Sequence, residues 1–292
     1  MSELVREWKA AGEFLRTPAG AVFVRDVPAV DPDGSPPLFV LHGFPTSSFD
    51  FRSVLGSLSA NRRVVLFDQI GFGLSDKPDR HYGIHLHADT AMAVLQHFEL
   101  AEIDLLTHDM GDSVGGELLA REAEGKLDTT IRRRVLTNGS IYLDLANLTT
   151  GQQLLSSLPD EATGPIPVEN FVAGVAGTFA ESFSPDPEDL AAHGILGETN
   201  GGLHLMARLI RYLEDRRREE DRYTGAIESH PSPLHVIWGR LDPVADVSMS
   251  DKLISRRPDA TLLVLDSVGH YPMIEAPREF AAAVVRALSV GS

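Results

Sequence analysis

The sequence predicts an α/β fold: a mostly parallel sheet covered by helices on both faces, with a helical cap inserted into it. Three observations predict it. Short apolar, β-rich runs alternate with stretches of helical spacing, the pattern of strands joined by crossover helices. Most of the strand-like runs are apolar throughout, as suits a sheet buried on both faces. Between about residues 141 and 231 the rhythm changes, and only helical spacing remains.

The elements follow in order. "EFLRT" and "AVFVRDV" flank Pro18-Ala19-Gly20 and read as an opening hairpin. "PLFVLHG", "RVVLFDQ", "IDLLTH" and "RRVLTNGS" read as the next four strands, with helices in "HADTAMAVLQHFEL" and "VGGELLAREAEG". After the sixth strand come the helical stretches "TGQQLLSSL", "NFVAGVAGTF" and "GGLHLMARLIRYLEDRRREEDRY". "SHPSP" then marks the return to the strands "LHVIWG" and "TLLVLDS". The expected core is residues 1–140 and 232–292, and the expected cap is residues 141–231. The cap's run Arg216-Arg217-Arg218-Glu219-Glu220-Asp221 reads as a solvated helix face.

Bulk properties narrow the function. A chain of 292 residues suits one large domain with an insertion, and 43% hydrophobic with 23% charged residues is ordinary for a globular protein. A formal net charge of -16 argues against nucleic acid or an anionic membrane as partner. Without cysteine there is no disulfide, thiolate metal site or cysteine nucleophile. No signal-peptide core or membrane-spanning run is visible. The expectation is an unprocessed cytoplasmic protein, a monomer or homodimer acting on a small molecule with no metal and no cofactor. His81, His85 and His87 lack a metal-ligand spacing, and Gly71-Phe72-Gly73-Leu74-Ser75 lacks the third glycine and helix entry of a phosphate loop.

The chemistry turns on "LLTHDMGDSVGG", Leu105 to Gly116, which holds two nucleophiles in overlapping frames. Gly111-Asp112-Ser113-Val114-Gly115 is a literal G-x-S-x-G with Ser113 at its centre. Four residues earlier, Thr107-His108-Asp109-Met110-Gly111 places an aspartate there. A nucleophile elbow follows its strand at once, and the apolar strand ends at Leu106-Thr107. Putting Ser113 on the turn would force His108, Asp109 and Asp112 into a sheet buried on both faces, at a cost of several kcal/mol for unpaired carboxylates. Asp109 on the turn avoids this and leaves Ser113 one turn into the helix. Asp109 as a simple helix N-cap is the plainer alternative.

Two further residues stand past strand ends, where open α/β sheets bind ligands: Asp242 in "GRLDPV" and His270 in "GHYP". A fourth element is "HGFP" after the strand "LFVL". There the backbone N–H of Phe44, together with that of Met110, would form an oxyanion hole, and His42, Gly43 and Pro45 shape the loop.

"LHGFPTSS", "DQIGFGLSDKP", "THDMGDS", "WGRLDPV" and "SVGHYPMIEAP" resemble the α/β-hydrolase superfamily, in its aspartate-nucleophile branch of epoxide hydrolases and haloalkane dehalogenases. "HDMGDSV", "NGSIY", "RYLEDRR" and "GRLDPV" are most similar to the mesoderm-specific transcript group. The resemblance implies the α/β-hydrolase fold, with Asp109 as nucleophile, Asp242 as the acid that orients His270, His270 as base, and a lid near residues 141–231. Dehalogenases of the branch place halide donors where this chain has Met110 and Phe44, whose side chains donate nothing. Arginine-using relatives carry arginines where Asp112 and Ser113 stand. Epoxide hydrolases use two lid tyrosines as acids. Tyr212 falls where the resemblance expects one, Tyr142 or Tyr223 is the candidate for the other, and the middle of the lid offers Phe171, Phe179 and Phe183 instead. The reading favoured is an epoxide hydrolase. The alternatives are a haloalkane dehalogenase, an esterase, or a catalytically slow ligand-binding receptor of the same fold.

Overall fold

Runs such as Leu38–Leu41 and Val64–Phe67 are apolar at every position, so they are stable only where both sheet faces are covered, and every residue in them is buried. The computed structural model describes residues 2–160 and 164–289. Its eight strands are β1 (Glu13–Thr17), β2 (Gly20–Val27), β3 (Leu38–Leu41), β4 (Val64–Phe67), β5 (Glu102–His108), β6 (Thr130–Thr137), β7 (Leu234–Gly239) and β8 (Thr261–Leu265). They lie in the order β1-β2-β4-β3-β5-β6-β7-β8. β1 and β2 form the antiparallel hairpin, β2 joins β4 antiparallel, and the remaining pairs are parallel. This is the α/β-hydrolase fold.

The order positions the site. The chain steps from β3 outward to β4 and then returns to the other side of β3 as β5, so a crevice opens between the carboxyl ends of β3 and β5. Leu41 pairs with Thr107 there, His108 with Thr137, and Gly239 with Leu265. The loops after β3, β5, β6, β7 and β8 therefore leave the sheet along one rim.

Between β6 and β7 the described residues are helical, with longer helices Thr150–Ser157, Val168–Ala176, Pro187–Glu198 and Tyr212–Ser229. The second of the four begins two residues earlier than "NFVAGVAGTF" suggests. The third has no counterpart among the helices read from sequence. Its signal is Asp186-Pro187-Glu188-Asp189, an N-cap aspartate with proline at the first helical position. Tyr212–Ser229 packs along helix Met110–Ala123 and corrects the solvated-face expectation. Arg217, Arg218 and Asp221 are exposed, but Asp215 and Arg216 are turned inward with Tyr212 and Tyr223. Among the described residues no helix is long and apolar enough to cross a membrane.

Candidate active site

Asp109 is the first residue beyond β5, at φ 53° and ψ -118°. That backbone conformation is disfavoured for a residue with a Cβ, typically by about 1–3 kcal/mol. Missing side chains around it make the turn possible. A Cβ on Gly43 would lie 2.3 Å from Asp109 Cβ, and one on Gly111 would lie 2.4 Å from the Leu41 carbonyl oxygen. Asp109 precedes helix Met110–Ala123, yet its side chain makes no capping bond. The carboxylate turns the other way. Oδ1 accepts the Phe44 N–H at 2.7 Å, and Oδ2 lies 3.6 Å from His270 Nε2. The Met110 N–H, first in its helix, has no acceptor within that helix.

His270 is fixed from behind. Its Nδ1 donates to Asp242 Oδ2 at 2.8 Å, while Asp242 Oδ1 accepts the N–H groups of Val244 and Ala245 at 2.7 and 3.0 Å. Asn138, at the end of β6 with φ 51°, donates from Nδ2 to Asp242 Oδ2 at 2.7 Å and accepts the Gly239 N–H at 3.1 Å. His108 Nε2 donates to the His270 carbonyl at 2.8 Å, and Glu275 accepts the N–H groups of Gly269 and Tyr271 on either side. Burial by itself would lower the His270 pKa. The charge and hydrogen bond of Asp242, then the charge of Asp109, outweigh it and raise the pKa to about 9. Asn138, His108 and Glu275 escaped the sequence reading as members of this site. The Thr-Asn-Gly turn was the available signal for Asn138, since asparagine tolerates the left-handed conformation.

His42 shapes its loop as a neutral ring. Nε2 accepts the Gln69 N–H at 2.9 Å and Nδ1 bonds the Gly43 carbonyl at 2.9 Å, while burial holds its pKa below the ordinary value. The Phe44-Pro45 peptide bond is cis.

The three lid tyrosines go to different places. The Tyr212 ring is buried 5.8 Å from the Phe44 ring, and its hydroxyl has no hydrogen-bond partner among the described residues. Burial, then the negative charge of Asp109, pushes its pKa above the ordinary phenol range, so it remains a proton donor at neutral pH. Tyr142 departs from expectation. Its hydroxyl donates to Glu228 Oε1 at 2.7 Å, and Lys252 Nζ sits 4.3 Å from its ring centre, because the chain leaving β6 turns towards helix Ser248–Arg256. Tyr223 has its hydroxyl 3.4 Å from His85 Nε2. Only Tyr212 stands beside the Asp109 loop. Ser113 is also away from His270, and its Oγ accepts Arg216 Nε at 2.9 Å. Asp112 is buried despite its place in the helix, with its carboxyl against Gly139, and burial raises its pKa well above the ordinary value.

Residues 38–283 match the alpha/beta hydrolase family. Over 98% of its length the chain is 38% identical to the "Putative hydrolase LipZ" of Mycobacterium tuberculosis and covers 99% of that protein. It is 33% identical to the mesoderm-specific transcript homolog protein of Homo sapiens, over 96% of this chain and 86% of the relative. Among solved structures, the haloalkane dehalogenase DbeA from Bradyrhizobium elkani aligns with a TM-score of 0.78 over 95% of this chain and 97% of that one. Its identity is 18%, so the likeness is one of fold.

Proposed function

The chain belongs to the alpha/beta hydrolase family, and from that premise we propose that it hydrolyses an epoxide to a diol through a covalent ester on Asp109. One observation carries the reading: the two oxygens of the Asp109 carboxylate have different surroundings. Oδ1 is held by the Phe44 N–H at 2.7 Å, whereas Oδ2 faces His270 Nε2 across 3.6 Å.

A carboxylate is ionised at neutral pH and attacks an sp³ carbon without a base to activate it. Oδ2 attacks a ring carbon, the carbon–oxygen bond breaks towards the ring oxygen, and that oxygen takes the Tyr212 proton. Esterification removes the Asp109 charge that helps keep His270 protonated, so the imidazolium first releases its Nε2 proton to bulk water; a second water then gives a proton to His270 Nε2 and attacks Cγ of the ester. Oδ1 carries the charge of the tetrahedral species, facing the N–H groups of Phe44 and Met110. Collapse expels the diol oxygen, which takes the proton from His270, and the carboxylic proton left on Asp109 restores Tyr212. Asp242 holds the imidazole in the required orientation throughout.

The test is a panel of aryl and alkyl epoxides and haloalkanes, with single turnover in ¹⁸O-water. Epoxides are expected to give diols, haloalkanes to release little halide, and the label to remain in the Asp109 carboxylate. Diol formation without label in Asp109 overturns the mechanism. Halide release exceeding diol formation moves the protein to the dehalogenases. No turnover of either, with tight binding of a small ligand under the lid, moves it to the receptors.

A further inference from the structure

The lid also encloses a cavity of about 110 Å³ whose polar wall is Ser140, Gln152, Tyr212, Arg216 and Arg217; its remaining lining is apolar and includes no carboxylate. On a chain of formal net charge -16, a cavity charged only by two arginines is a marked local reversal. Arg217 is exposed, while Arg216 is 1% exposed. The Arg216 guanidinium bonds the neutral Ser113 hydroxyl through Nε and lies 5.1 Å from the centre of the Tyr212 ring. Its Nη2 is buried without a partner among the described residues. Asp112 is close enough to feel its charge but accepts no hydrogen bond from it, and burial pushes the Asp112 carboxyl towards its neutral form.

A buried guanidinium with no carboxylate bonded to it is unfavourable unless an anion completes it. A planar fork of N–H donors suits a carboxylate, which it binds through two parallel bonds. A cavity of this size has room for a carboxylate and a few carbons. Tyr212 links the two places, since its ring lies beside Phe44 on one hand and the Arg216 guanidinium on the other.

We propose that Arg216 binds a carboxylate carried by the substrate, which makes the substrate class small organic acids with the reacting carbon a few bonds from the carboxylate. That such an acid is turned over rests on the role proposed for Asp109; that it binds does not.

The experiment uses an unreactive pair of probes of the same shape, isobutyrate and isobutyramide, titrated calorimetrically into the full chain at low ionic strength. Isobutyrate is expected to bind at least about tenfold tighter, the scale of a charge-assisted bond. Arg216→Met abolishes the preference and Arg216→Lys keeps part of it. Leu148→Trp, which fills the cavity and leaves Arg216 in place, weakens isobutyrate binding tenfold or more. If Arg216→Met fails to fold by circular dichroism, the other two variants decide. Isobutyrate binding no tighter than isobutyramide in the wild type, or a preference that survives Leu148→Trp, overturns the proposal. Because neither probe reacts, a carboxylate preference without epoxide turnover would sink the Asp109 reading alone, and epoxide turnover without the preference would sink this one alone.

Discussion

Asp242→Asn tests the timing of the second step. Everything facing the Asp242 oxygens is a donor: His270 Nδ1, Asn138 Nδ2 and the N–H groups of Val244 and Ala245. An amide keeps its oxygen on the two backbone donors and so presents its NH₂ to Asn138 and His270. The imidazole then accepts at Nδ1 and carries its proton on Nε2, where it cannot take one from water. The charge effect adds to this. A rise of the His270 pKa from 6.5 to about 9 corresponds to about 3 kcal/mol favouring the imidazolium. Asp109 supplies part of that only while it is charged. In the proposed ester the Asp109 charge is gone, the imidazole is released to act as a base, and Asp242, with a smaller contribution from Glu275, stabilises the cation that forms. Losing Asp242 is therefore expected to slow ester hydrolysis about 10²- to 10³-fold and to leave alkylation nearly untouched. Mixing the variant with an epoxide, quenching, and weighing the intact protein should reveal an adduct of the substrate's mass that the wild type does not accumulate. A variant that turns over within twofold of the wild type, or one that is slow without any adduct, refutes this reasoning.

Four other outcomes follow from the geometry. Ser113→Ala should cost about 1–3 kcal/mol in urea unfolding, because it strands the Arg216 guanidinium; uncharged epoxides should lose less than tenfold in kcat, whereas a serine nucleophile would lose at least about 10³-fold. Tyr212→Phe should slow ring opening about 10²-fold or more in pre-steady-state kinetics and spare ester hydrolysis. Tyr142→Phe should leave both steps alone and cost about 1 kcal/mol of stability through its lost bond to Glu228. His193, on the lid, bonds Asp50 of the core at 3.1 Å; burial lowers its pKa but the bond and charge of Asp50 raise it further, so the contact stabilises fully below the unfolded value of 6.5 and is lost as pH rises through the folded value. The stability gap between wild type and Asp50→Asn should shrink accordingly as pH rises, and a constant gap would dismiss the linkage.

The sheet was legible because its central strands carry apolar residues on both faces, a pattern few other structures produce. β8 shows where that rule weakens. "TLLVL" reads as buried, but it is the last strand of the sheet, and Leu263 is left 42% exposed. Asp109, Asp242 and His270 could be picked out as candidates because each lies within five residues of a strand's carboxyl end, and parallel strands bring such residues to one rim. Arg216 could not. A string of arginines and glutamates looks solvated in one dimension, and which of them faces inward depends on where helix Tyr212–Ser229 meets helix Met110–Ala123. Tyr142 was misplaced for a related reason: nothing in its own sequence says which way the chain turns after β6. The sequence also offers no trace of the cavity beside Arg216, since its wall joins residues from two distant stretches of the chain, 140–152 and 212–217.

The glycines around Asp109 divide the molecule into a part that resists redesign and a part that invites it. At Gly43, Gly111 and Gly139 an added methyl would fall within 2.4 Å of Asp109, the Leu41 carbonyl or Asp112. Any library randomised at these three positions should return glycine, whatever substrate is selected. Leu143, Ala146 and Leu148 line the lid cavity from a segment whose side chains are only partly covered. Variation there changes the shape of a wall without moving the elbow. The protein therefore offers a fixed candidate site beneath an adjustable receptacle, and a search for new substrates should spend its diversity on the lid.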